Sequence, residues 1–262
     1  MSRSAAALQA YRTEQASSVR LPYLGIGLTL VLLAIAFAVL KMPTMDFTRD
    51  IRPGELDTSG TNDSIWKHPV LLAGALAIFV YVGAEVSIGS SLVNYFGLPD
   101  IAAFPEKTAA KYVSLYWGGA MIGRLIGFFA MQKIRARPAL VFVSSIASLL
   151  VVTGILTHGH VAMWAIVACG LFNSVMWPCI FPMSVEGLGR FTSHGSGILI
   201  MMVVGGAIVP EVQGLLADKF GYQPSFAIVL LCYLYILFFA LRGHRNLSAV
   251  EATDSLNPGV IQ

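Results

Sequence analysis

A chain of 262 residues that is 56% hydrophobic and only 12% charged, with a mean hydropathy of +0.73 and a net charge of +3, cannot clothe a water-soluble surface. Average globular domains carry about a quarter charged residues. The apolar residues fall in long runs between short polar loops and the cations are not gathered in a stripe, which excludes a soluble enzyme, a disulfide-rich secreted module, a disordered chain and a nucleic-acid surface.

In chain order, a polar tail over residues 1–20 precedes seven runs long enough for the ~20 apolar residues a bilayer-crossing helix needs. The expected spans are 21–40, 69–96, 110–131, 138–156, 161–183, 195–217 and 224–241. Pro178 and Pro182 in the fifth and Pro210 in the sixth are expected to bend their helices, because an interior proline removes a backbone hydrogen bond. The expected fold is an all-α membrane protein of seven transmembrane helices, a six-helix bundle over 69–242 preceded by one extra helix over 21–40. Residues 41–68 read as a polar linker, rich in Asp, Gly, Thr and Ser, and 243–262 as a tail. Cys169, Cys179 and Cys232 sit inside apolar runs and read as small buried hydrophobes.

Lys and Arg asymmetry orients the spans. The loops after spans one, three and five and the C-terminal tail hold ten cations, including Lys41, Lys133, Arg135, Arg137, Arg190 and Arg242, against three (Lys107, Lys111 and Lys219) in the loops after spans two, four and six. The first set is expected on the cytoplasmic side, with the C-terminus. Seven spans then put the N-terminal tail outside, although it carries Arg3, Arg12 and Arg20, so one helix is expected to precede a six-helix unit whose parent begins elsewhere.

Polar side chains inside the spans are the candidate functional groups, because an intramembrane carboxylate is costly unless it faces water or the bundle interior. Glu85, mid-span, reads as a proton carrier or an acceptor for a ligand hydroxyl, against a structural hydrogen bond. Asn94, nine residues on, faces roughly the opposite way and is a candidate amide ligand. Asn173 and Trp177, one helical turn apart, pair an amide with a ring, as sugar sites do; Tyr116 with Trp117 offers the same pairing. Glu211, beside Pro210, is a candidate gate or substrate contact, or else an interfacial carboxylate. Arg124 lies in a Gly119-xxx-Gly123-xxx-Gly127 stripe suited to close helix packing. Nucleophile, P-loop, dinucleotide and metal signatures are not found, so neither an enzyme nor a cofactor is expected, and the last span offers no lysine for a retinal.

Four blocks carry a family resemblance: YVGAEVSIGSSLVN (81–94), SLYWGGAMIGR (114–124), FNSVMWPCIFPMSVEGLGRFTSHGSG (172–197) and GGAIVPEVQGLLADKFGYQPSF (205–226). Together they resemble the C-terminal half of the fucose–galactose–glucose:proton symporters of the major facilitator superfamily. The resemblance implies a twelve-helix transporter of two bundles, of which the seven spans match helices six to twelve, in a bacterial inner membrane. It also implies a latch at the cytoplasmic mouth, in which Arg124 takes Glu186 as partner. The expected function is proton-coupled hexose transport by alternating access, with a sugar, protons, lipid and a missing N-terminal half or second copy as partners. The alternative is a non-transporting half-sized membrane protein serving as sugar receptor or scaffold.

Overall fold

The computed structural model describes residues 23–32, 35 and 65–242. The chain divides into two units, 1–60 and 61–262, and the described helix of the first is α1 (Tyr23–Leu32). Its described residues are apolar and too few by themselves for a membrane crossing; the rest of the expected first span, the tails and most of the linker lie outside the described residues.

Six helical stretches among the described residues are long and apolar enough to cross a membrane. They are α2 (Pro69–Gly97), α3 (Glu106–Met131), α4 (Ala136–Leu156), α5 (Gly159–Val185), α6 with α7 (Thr192–Met201 and Gly205–Phe220), and α8 with α9 (Tyr222–Ser225 and Ala227–Arg242). Their ends fall within four residues of the expected spans. Every difference lengthens the helix, because hydropathy detects the apolar length while the helix runs on into the polar interface. Pro69 opens α2, where its missing N–H costs nothing.

None of the interior prolines interrupts its helix. Pro178 and Pro182 lie inside an uninterrupted α5, and α7 runs through Pro210. The irregularity in the sixth span falls earlier, where Met202–Val204 tightens into a 3-10 turn between α6 and α7.

Helices α2 and α5 form the middle of the bundle: α2 packs on α3, α5, α7 and α9, and α5 on α3 and α4, while α4 also packs on α9. Glycines allow the closest approaches. A Cβ on Gly205 would strike the Phe79 carbonyl across the α2–α7 contact, and one on Gly123 would strike the Leu171 carbonyl across α3–α5. Of the stripe on α3, Gly123 and Gly127 therefore meet α5 tightly, and Gly119 only at 3.8 Å.

Polar side chains from distant segments tie the helix ends. Arg137 at the start of α4 donates from Nε to the Ala240 carbonyl (3.0 Å) and from Nη2 to that of Leu241 (2.8 Å), satisfying the last turn of α9. At the opposite end, Gln223 Nε2 donates toward the carbonyls of Gly154, Ile155 and Thr157 that close α4. Terminal carbonyls have no partner within their own helix, so both contacts relieve groups that membrane apposition would otherwise strand.

Candidate functional site

Glu85 lies in the middle of the buried α2 and is 8% exposed. Its Oε2 accepts a hydrogen bond from the Tyr81 hydroxyl one turn earlier (3.1 Å), while Oε1 has no partner in the protein. A buried carboxyl oxygen left unsatisfied is costly, and here the residue faces a cavity of about 680 Å³ bounded by α2, α3, α5 and the 3-10 turn at Val203. Small-molecule sites span roughly 300–1,000 Å³.

The cavity wall is mostly apolar with a few polar groups: Tyr81 and Glu85 from α2, Arg124 from α3, and Ser174 and Trp177 from α5. The Trp177 ring is 6.3 Å from Tyr81, so the two give the wall an aromatic face, and Phe181 stacks on Trp177 at 6.0 Å. Pro178 also lines the space. Having no N–H, it leaves the Ser174 carbonyl without its helical donor. The cavity thus combines a cation, a carboxyl, hydroxyls and aromatic faces, which suits a neutral polyhydroxylated ligand with apolar C–H patches. Among the described residues no cluster of three or more His, Cys, Asp or Glu side chains is placed to hold a metal.

Behind this wall runs a buried chain of hydrogen bonds. The Tyr233 hydroxyl of α9 donates to Asn173 Oδ1 (2.6 Å). Asn173 Nδ2 donates to the Tyr116 oxygen (2.9 Å). The Tyr116 hydroxyl donates to the backbone carbonyl of Glu85 (3.0 Å). All of its side chains, Tyr233, Asn173 and Tyr116, are fully buried, so the chain joins α9, α5, α3 and α2.

Of the residues singled out from sequence, Glu85, Trp177 and Arg124 come together at the cavity. Asn173 and Tyr116 lie one layer behind, occupied with each other and with Tyr233. Asn94 and Glu211 are exposed and do not line the cavity. Glu186, at the end of α5, is also exposed, and among the described residues no ion pair joins it to Arg124. Gln213, only two residues from Glu211, faces the other way. It is 1% exposed and accepts from the Ser91 hydroxyl at 3.1 Å. Tyr81 was missed from sequence, although its i, i+4 spacing to Glu85 was the available signal.

No family model matches the chain. It is 46% identical over 242 residues to the glucose/galactose transporter of Brucella abortus (strain 2308), covering 92% of this chain and 57% of the relative. It is 29% identical over 236 residues to the L-fucose-proton symporter of Escherichia coli (strain K12), covering 89% and 53%. Its fold matches the crystal structure of the major facilitator superfamily transporter FucP in the outward conformation, with a TM-score of 0.73 and 29% identity, over 92% of this chain and 58% of that one. The chain is therefore a multi-pass membrane protein with the fold of a major facilitator superfamily transporter. Within that superfamily, its resemblance to the C-terminal half of the fucose–galactose–glucose:proton symporter family is borne out. It spans a little over half the length of the relatives it matches, and those relatives are transporters, not enzymes.

Proposed function

We propose that the chain supplies the C-terminal half of a proton-coupled hexose transporter working by alternating access, with the Glu85 cavity as its share of the sugar site. The supporting observation is the unpartnered Oε1 of Glu85, buried and facing a cavity with Trp177 and Arg124. A carboxyl of that kind accepts a sugar hydroxyl in one state and holds a proton in another; Trp177 packs the apolar face of the sugar ring, and Tyr81 orients the carboxyl. Half-bundles of this class rock against a second bundle around a midplane site. The second bundle comes from a missing N-terminal half or a second copy. The segment 21–40 serves as the helix before the bundle, 41–68 as the linker on the cytoplasmic side of a bacterial inner membrane, and 243–262 as a cytoplasmic tail. Glucose or galactose is the preferred substrate, since the relative named for these sugars is more similar than the one named for fucose.

The test uses dicyclohexylcarbodiimide, which adds to a protonated carboxyl to form an O-acylisourea that rearranges to a stable N-acylurea. In the membrane-reconstituted chain, peptide mass mapping is expected to find Glu85 labelled, labelling slowed by glucose or galactose and unaffected by mannitol, and none at this position in E85Q. Labelling that no hexose slows would overturn the sugar site.

A further inference from the structure

A second cavity, of about 270 Å³, lies between α3, α4 and α5 on a face of α3 adjoining the one that lines the Glu85 cavity. Its wall is almost wholly apolar. Ile126, Ile134 and Phe142 line it and are largely exposed, so it opens outward, while Ala130 and Ala139 provide little bulk to fill it. Protein interiors rarely keep voids of this size. One at an outward-facing membrane surface is filled by something apolar from outside.

The charges at its end are one-sided. Ile134 is flanked in sequence by Lys133 and Arg135, and the wall residue Pro138 follows Arg137. Backbone hydrogen bonds from Lys133 and Ile134 to the Ala130 carbonyl (3.0 and 2.9 Å) hold this loop against the end of α3. Lys133 and Arg135 are exposed, and neither has an ion-pair partner among the described residues. Between Glu106 and Glu186 the sequence carries six Lys and Arg residues and no Asp or Glu. The carboxylate nearest in topology is Glu186, at the end of α5 on the same side. Arg137 is engaged with the end of α9 but also lines a neighbouring groove, with Pro138, Phe142 and Leu241, on the other flank of α4. Two apolar troughs therefore flank one helix beneath a rim of cations.

We propose that this is a binding site for one anionic glycerophospholipid, its phosphate held by Lys133 and Arg135 and an acyl chain seated in the α3–α4–α5 cleft. A cationic rim over an apolar trough is complementary to an anionic head on a hydrocarbon tail and to little else in a bilayer. The cleft shares Gly127, Met131 and Val175 with the Glu85 cavity as a common wall, so a seated chain buttresses that wall from behind.

The full chain, purified in a mild detergent, is titrated separately with palmitoyl-oleoyl phosphatidylglycerol and with phosphatidylcholine of the same chains, and bound lipid is counted by native mass spectrometry. Cationic side chains at a membrane surface set the expected preference for phosphatidylglycerol at about tenfold or more. The K133Q/R135Q chain is expected to lose the preference while binding phosphatidylcholine as before, and A139L, which fills the cleft, to bind both lipids more weakly. Glycerol 3-phosphate is not expected to displace the lipid. Equal binding of the two lipids by the unaltered chain, a preference that survives K133Q/R135Q, unchanged binding by a folded A139L chain, or displacement by glycerol 3-phosphate would each overturn the proposal. None of these readouts depends on sugar binding.

Discussion

Both ends of the Asn173 side chain are engaged inside the bundle, Oδ1 with Tyr233 and Nδ2 with Tyr116, and no part of the residue is exposed. Asn173→Leu keeps most of the volume but removes an acceptor for one tyrosine and a donor for another. Interhelical hydrogen bonds in membrane bundles average about 0.6 kcal/mol, and stranding a buried donor adds about 1–3 kcal/mol. The expected loss is therefore roughly 1–3 kcal/mol, read as a lower melting temperature in detergent. Unchanged stability with weakened sugar protection of Glu85 would instead make Asn173 a direct ligand contact. The sequence reading grouped Asn173 with Trp177 because they are one turn apart. The 40° between them was enough to place one at the cavity wall and the other in the core, and only the neighbouring helices decide which side of that line each falls on.

At the scale of elements, the close approaches concentrate at particular glycines. Replacing Gly by Ala in a helix gains about 1 kcal/mol of propensity where space is open, as at Gly214, where an added Cβ meets nothing within 4 Å. At Gly205 the same methyl strikes the backbone carbonyl of Phe79. Overpacking of that kind costs about 1–3 kcal/mol and separates α7 from α2. Thermal melts of the two variants are expected to move in opposite directions, G214A upward and G205A downward; equal melting temperatures would show that the α2–α7 contact is loose. The six spans were legible because about 20 consecutive apolar residues are a local signal. The end contacts of Arg137 and Gln223 were not, since each reaches a helix end that sequence distance does not reveal. Arg137 counted as a loop cation in the charge asymmetry, and it also caps α9 by donating to its last carbonyls.

At the scale of the whole molecule, α3 and the α6–α7 stretch are the least buried spans and α2 and α5 the most. Large apolar side chains such as Met121, Phe128 and Ile208 remain exposed. The Glu85 cavity lies among α2, α3, α5 and the α6–α7 junction, and the proposed second bundle would close a path over it. Purified alone in proteoliposomes with an inward proton gradient, the chain is expected to show no concentrative uptake of glucose, galactose or fucose; robust uptake by the monomer would refute the need for a second bundle. By itself the sequence determined the membrane class, the positions of six helices and the stranded carboxyl at Glu85, because hydropathy and the cost of a charge in hydrocarbon act along the chain without reference to distant partners. The tertiary structure alone decided which polar groups share a void: Arg124 and Trp177 turn toward Glu85, while Asn173 and Tyr116 are consumed in the packing behind it and Asn94, Glu186 and Glu211 stay outside. Each helix can rotate its polar residues to any side until its neighbours fix the rotation, and that choice is made by side-chain packing between segments that the sequence keeps apart.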